Sequence, residues 1–319
     1  MREPRFLTVS PDAGHYESYF VKGHHPTEPI AFWLRHTVHQ RPNKTRTGSL
    51  WLTLFDGDEV TAGKQTFREP DVPAEGYIEI GPAILTPEGG KGRLQSHTLD
   101  AGWSFTFQGD DEEQRHLPAA WMYDAALPRT KSGTPHPGVT FSGRVGPYRV
   151  DGWRGLVSHN WGSQHADRWI WMHCALDGGW LELVLGRIKI GRLTTPWIAN
   201  GALQLERERH RLGGPNRTRS TVVDERPTGT RFVVTGDRGV RVEGDISAPA
   251  QRFVCWRYAD PEGPEHHSAH SSLCDLRAEV RRPRREPLEI DAPMAASYEL
   301  GMLETDHGLT VQPFDDGRL

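Results

Sequence analysis

Short stretches rich in aromatic and β-branched residues recur along this chain, and turn residues bound most of them. They are AFWLRHTVH (31–39), GSLWLTLFDG (48–57), GWSFTFQG (102–109), RWIWMHCAL (168–176), WLELVLGRIKI (180–190), TRFVVTGD (230–237) and RFVCWRYAD (252–260). Runs of this kind, punctuated by Gly, Pro, Asp or Asn, read as strands rather than helices. Their spacing of roughly 10 to 20 residues predicts antiparallel pairs joined by turns. The expected class is all-β: barrels or sandwiches with little helix. Gly (34) and Pro (24) are spread along the chain, which assigns them to many turns rather than to one disordered tail.

A length of 319 residues exceeds the usual single-domain size, so two β domains are expected, 1–150 and 151–319. The boundary is drawn near residue 150, before GWRGLVSHNWG. ALPRTKSGTPHPG (126–138) is Pro-rich and aperiodic and reads as a long ordered loop or a linker. No exact internal repeat is present.

The strongest hairpin signal is RWIWMHCAL-DGG-WLELVLG. Strand alternation puts Trp169, Trp171 and His173 on one face and Ile170, Met172, Cys174 and Leu176 on the other. A two-residue loop brings Trp180, Glu182 and Val184 to the first face. If that loop is Asp177-Gly178, His173 stands opposite Glu182. A three-residue loop would present Leu181, Leu183 and Leu185 instead. Both faces are apolar, as expected of a strand between two packed layers.

That face carries the first candidate chemistry. A Glu182 enclosed by Trp would be desolvated and held protonated, ready to donate to an alkene or a carbonyl. Indole faces can stabilise a developing cation. The HNWG segment reads as a turn: Asn160 and Gly162 suit turn geometry, and Trp161 anchors it by burial. His159 and His165 flank it and can move protons near neutral pH. Glu182, His173, His159 and His165 are therefore the catalytic candidates. Asn160, Trp161, Trp169, Trp171 and Trp180 are the ligand-binding candidates.

Other clusters carry less. In EHHSAH (265–270) the pairs His267/His270 and His266/His270 have helical metal-ligand spacing, but Pro and Gly precede them and a loop is expected. ELGMLETDHG (299–308) and Glu17 in GHYESYF (14–20) read as a strand end and a polar group among aromatics. No GxSxG elbow is present. No metal and no cofactor is expected.

A net charge of −4 with one short basic run, RRPRR (281–285), argues against a nucleic-acid partner and for a solvated loop. No signal peptide is read at the N-terminus, and no apolar run approaches the ~18 residues of a spanning helix. Three widely spaced cysteines suit free buried thiols in a reducing cytoplasm.

GLVSHNWGSQHADRWIWMH (155–173) resembles the motif of tocopherol cyclase-like proteins, where a Lys-Asn-Trp-Gly turn precedes a Trp-x-Trp strand. It is also similar to the HNWG-type turns of carotenoid 1,2-hydratases (hydroxyneurosporene synthases) and of lipocalin-like fungal Diels–Alderases. GHYESYFVKGHHPTEPIAFWLRHTV, LPRTKSGTPHPGVTFSG, GRIKIGRLTTPWIANG and YELGMLETDHG look like a bacterial branch of that superfamily, largely unassigned in function. The resemblance implies two packed lipocalin-like β-barrels enclosing a hydrophobic cavity. It also implies cofactor-free cyclisation, hydration or isomerisation of an isoprenoid or polyene. The matched positions are Asn160, Trp161, Gly162, Trp169 and Trp171. Ser158 and His159 replace the Glu-Lys that precedes Asn-Trp-Gly in the cyclases, so tocopherol cyclisation itself is not implied. Two further readings stand beside the enzyme: a lipocalin-like carrier of the same hydrophobic small molecule, and a carbohydrate-binding β-sandwich suggested by the 11 Trp.

Overall fold

The computed structural model describes residues 3–73, 76–206 and 208–312. They form two large antiparallel sheets in a lipocalin-like arrangement, and helix among them is limited to short 3-10 turns. The first sheet runs Glu59–Arg68, Thr47–Asp56, Ile30–Gln40, His15–His24, Arg154–Gly162, Thr130–Val145, Asp100–Gln108 and Gly89–Gln95, with short strands beyond. The second runs Glu208–Gly213, Ile198–Leu205, Gly179–Arg187, Arg168–Leu176, Leu288–Met302, His266–Arg281, Arg241–Ser247, Gly229–Thr235 and Val222–Arg226. No helix among the described residues is long and apolar enough to cross a membrane.

The two sheets share one topology although their sequences show no repeat. In each, a four-strand meander is closed by the last strand of that sheet, which pairs beside the first. Next comes a 16-residue strand interrupted by register shifts, Thr130–Val145 in one sheet and His266–Arg281 in the other. Each sheet rolls over its own core. Tyr19, Leu34 and Leu52 from one end of the first sheet share a cluster with Ile78, Leu94 and Phe105 from the other end. Ile170, Leu183 and Leu203 do the same with Phe232, Val242 and Leu276 in the second.

A third cluster lies between the sheets, where Phe20, Trp33, Trp51 and Leu156 meet Trp171, Trp256, Tyr258 and Leu273. Strand alternation produces both cores at once. Odd residues of His15–His24 face the first core and even residues face the partner sheet, so both faces of the strand are buried.

The hairpin forms with the Asp177-Gly178 loop. Leu176 pairs with Gly179, and His173 stands opposite Glu182. Gly178 adopts φ 73°, a conformation that favours glycine. The apolar face carrying Ile170, Met172 and Cys174 fills the second core, and the face carrying Trp171 packs against the first sheet. All three cysteines are free and buried.

Four sequence expectations change. HNWG is not a turn but the end of a central strand, where Asn160 pairs with Ser18 on one side and Ser132 on the other. Gly162 is needed there for close approach, since a Cβ would lie 1.9 Å from the Arg129 carbonyl oxygen. The chain crosses between sheets after Gly162 and before Arg168, later than the boundary drawn near residue 150, because Arg154–Gly162 is paired inside the first sheet. Much of the expected loop at 126–138 is strand from Thr130, and its prolines sit where the register shifts. EHHSAH likewise enters a strand at His266, so helical spacing does not apply, and His267 points away from His266 and His270.

One group in the inter-sheet layer is costly. Lys22 is fully buried, and its Nζ lies 2.7 Å from His173 Nδ1. Burial pushes its pKa down from 10.5 to about 7. Between those values the unfolded chain binds a proton that the folded chain does not, so this group makes stability rise with pH across that window. Lys22→Met is therefore expected to melt higher than the parent protein at pH 7. The difference should shrink toward pH 10. Thermal melts of both proteins across that range check this, and a constant difference would sink it.

Candidate active site between the two sheets

Between the sheets lies a cavity of ≈ 130 Å³. Phe20, Trp33, Trp169 and Trp171 form its apolar wall, while Arg35, His116, Ser158, Asn160, His165 and Glu299 supply polar groups. Its size is close to that of an engineered 150 Å³ cavity known to take benzene, so the enclosed part holds about one ring.

His165 sits on the crossover segment between the sheets. Its ring stacks on Tyr16, with centroids 3.9 Å apart. Asp260 Oδ1 accepts the His165 backbone N–H at 2.8 Å and lies 2.5 Å from Nδ1. Burial pushes the Asp260 carboxyl up, but the His165 hydrogen bonds and charge outweigh it, and the net shift is downward. An ionised Asp260 accepts the Nδ1–H hydrogen bond and so orients the ring. Nε2, the ring's other nitrogen, is buried and makes no hydrogen bond. An oriented imidazole with a free Nε2 at a cavity wall has the geometry of a general base.

Glu182 lies behind the wall. Its Oε1 accepts from Thr134 Oγ1 at 2.7 Å and from Trp171 Nε1 at 3.2 Å. Its Oε2 is 3.4 Å from His116 Nε2. Burial pushes this carboxyl up, but the His116 charge and the hydrogen-bond donors hold it below its ordinary value. The expectation of a protonated Glu182 is thus reversed, because those donors favour the carboxylate. Glu182 reaches the cavity through Trp171, through His116, and through Thr134 and its partner Ser158; His116 is further held by Ser132, 3.0 Å from Nδ1.

The other expected residues separate into three places. Asn160, Trp169 and Trp171 line the cavity with His165, and Trp169 Nε1 donates to Glu299 at 2.8 Å. His173 and Trp180 instead line a neighbouring cleft of ≈ 320 Å³. There Trp180 Nε1 donates to Asp111 at 2.8 Å, and burial, Lys22 and His24 push the His173 pKa down, so its ring is neutral. His159 and Trp161 face the first sheet's own core. His159 Nε2 lies 2.7 Å from Glu17, whose carboxylate also accepts the Arg5 and Phe6 backbone N–H groups. That arrangement straps the N-terminal segment in place. Burial pushes Glu17 up, but His15, whose Nε2 lies 3.4 Å from Oε2, together with His159 and the Arg5 N–H, brings it down to about 2.

Among the described residues two clusters gather metal-ligating atoms. His165, Asp260 and His266 form one, and Cys255, His267 and His307 the other. In the second, the Leu309 N–H donates to His307 Nδ1, which leaves the proton on Nε2, the nitrogen facing His267 Nδ1 at 2.7 Å. A metal there would need that proton moved. In the first, the His165 proton is already shared with Asp260.

Sequence reasoning did not single out Arg35, Lys22, His116 or Asp260. For Arg35 and Lys22 a signal existed: each is a lone charge inside an apolar strand run, AFWLRHTV and YFVKGH. Asp260 and His116 have no local signal, because only the fold brings them to their partners.

No family model matches the chain. It is similar to the uncharacterized Mycobacterium tuberculosis protein Rv0493c, 26% identical over 297 residues, covering 84% of this chain and 82% of the relative. Among solved structures it resembles CghA bound to Sch210972, with a TM-score of 0.58, 10% identity, and coverage of 92% of this chain and 89% of that one. At a TM-score of 0.49 it also aligns with a Nitrosomonas europaea structure assigned as AttH and with kievitone hydratase from Nectria haematococca. Identities are 15% and 7%; each alignment covers 92% of this chain, with 94% and 90% of the other. At that identity the CghA likeness is one of fold alone.

Proposed function

We propose that this chain is an enzyme that moves a proton on a small organic molecule held between its two sheets, in the manner of a hydratase, cyclase or isomerase. The observation that carries this reading is the His165–Asp260 pair with its free Nε2 at an aromatic cavity. Nε2 removes a proton from carbon or from a water, and the ionised Asp260 stabilises the resulting imidazolium. Trp169 and Trp171 hold the substrate ring and shield it from solvent. Glu182 acts at one remove, as an anion that orients His116. The likeness to CghA, a protein of this fold with a small molecule bound, supports a small-molecule site.

The enclosed volume suits one ring or the reacting end of a longer molecule, so a polyene or isoprenoid would leave its remainder outside. Proton transfer of this kind calls for no redox group, in keeping with a cofactor-free reaction. A carrier would have the same cavity but no use for an oriented base.

The base is tested with 5-nitrobenzisoxazole, a single-ring-system probe. Loss of its C3 proton breaks the N–O bond and releases a coloured cyanonitrophenolate. The protein is expected to accelerate this elimination, and His165→Asn to remove about 10²-fold or more of the acceleration. Asp260→Asn should lower the rate while leaving the probe's affinity unchanged. Equal turnover by the parent and His165→Asn, or no acceleration at all, would return the cavity to the carrier reading.

A further inference from the structure

Arg35 is the most exceptional charge in the molecule. It is 4% exposed, stands on the Ile30–Gln40 strand and lines the cavity. Its hydrogen bonds, from Nε at 2.9 Å and Nη2 at 2.7 Å, both go to Ser18 Oγ. Its guanidinium lies 4.1 Å from the Tyr258 ring centroid and about 6 Å from the rings of Trp33 and Trp51. Among the described residues no carboxylate comes within ion-pair distance of it. Glu299, the acid of the same wall, is occupied by Trp169 Nε1 at 2.8 Å and stands 3.6 Å from His270 Nδ1. A buried guanidinium with one hydroxyl for a partner has donors to spare and charge to neutralise.

Arg35 and His165 flank the same ring. The His165 centroid is 5.9 Å from that of Tyr258, so base and cation are no further apart than the two ring distances together. A base removing a proton next to a carbonyl creates negative charge on the carbonyl oxygen, and a guanidinium is suited to receive it.

We infer that Arg35 binds a substrate oxygen that carries or develops negative charge, which makes the substrate a ring-sized enolisable or α,β-unsaturated carbonyl compound. This rests on reading the cavity as a substrate site. In the step proposed, His165 Nε2 takes the proton from the carbon next to the carbonyl. The C–H electron pair becomes the C=C bond of the enolate, and the carbonyl π pair moves to the oxygen facing Arg35. For a conjugated substrate, His165 takes the proton of a water whose oxygen bonds to the β carbon, and the π electrons move to the same oxygen. Return of the proton to carbon completes isomerisation in the first case and hydration in the second.

The test uses 4-nitrophenol, a single-ring oxyanion mimic whose ionisation is read in the visible spectrum. Bound to the protein it is expected to ionise about one to three pH units below its value in water, the range of one close opposite charge. Arg35→Met should abolish that shift with the fold retained by circular dichroism, and Arg35→Lys should keep part of it. Absence of binding at millimolar probe, an unshifted ionisation, or a shift that survives Arg35→Met each overturns the inference. Binding needs no turnover, so the outcome is separable from the base assignment. A shift lost in Arg35→Met but kept in an inactive His165→Asn supports both readings, and a kept shift beside normal His165→Asn turnover overturns only the base.

Discussion

Everything in this protein depends on strands whose two faces are both buried. In most antiparallel sheets one face meets solvent and the sequence alternates apolar with polar. Here the sheets roll inward on their own cores and then press together, so the second face of the central strands becomes an internal layer. Such a layer cannot be left wet or merely polar. Its Trp and Tyr rings provide the packing, and the charges among them are tied to specific partners: Lys22 to His173, Glu182 to Thr134 and Trp171, and Glu299 to Trp169.

That constraint explains why the chemistry gathers where it does. The first sheet's core admits Glu17, His36, His136 and His159, but the groups that line the cavity, among them Arg35, His165 and Glu299, lie in the layer between the sheets, where neither sheet alone completes the wall. His165 is on the crossover, Asp260 follows the Val254–Tyr258 strand, Arg35 comes from the first sheet and Trp171 from the second. A low-dielectric seam with oriented donors is the environment in which proton transfer and charge stabilisation are most effective.

The parts legible in the sequence are those set by local pattern. Alternation and turn residues identified the all-β class and left several hairpin loops open; the one that forms is Asp177-Gly178, which sets His173 opposite Glu182. His165, Asn160, Trp169 and Trp171 were identified from the same stretch and do share one cavity. HNWG misled because Asn and Gly suit turns by backbone preference, whereas pairing on both edges overrode that preference. Glu182 misled in its charge because its donors lie elsewhere in sequence: Thr134 and His116 come from the opposite sheet and its connecting loop. Prolines 135 and 137 argued for a loop, but a long strand absorbs them at its register shifts.

The pairing that closes each rolled sheet has a consequence for how the protein comes into being. His15–His24 waits for Arg154–Gly162, and Arg168–Leu176 waits for Leu288–Met302, which reaches almost to the end of the described chain. Sheets closed by such distant partners assemble slowly, because long loops must be closed before the contacts repay them. Glu299, on that last strand, forms part of the cavity wall. A ribosome-bound chain thus has no complete pocket until the Leu288–Met302 strand has emerged, and a molecule able to bind there reports that both sheets have folded.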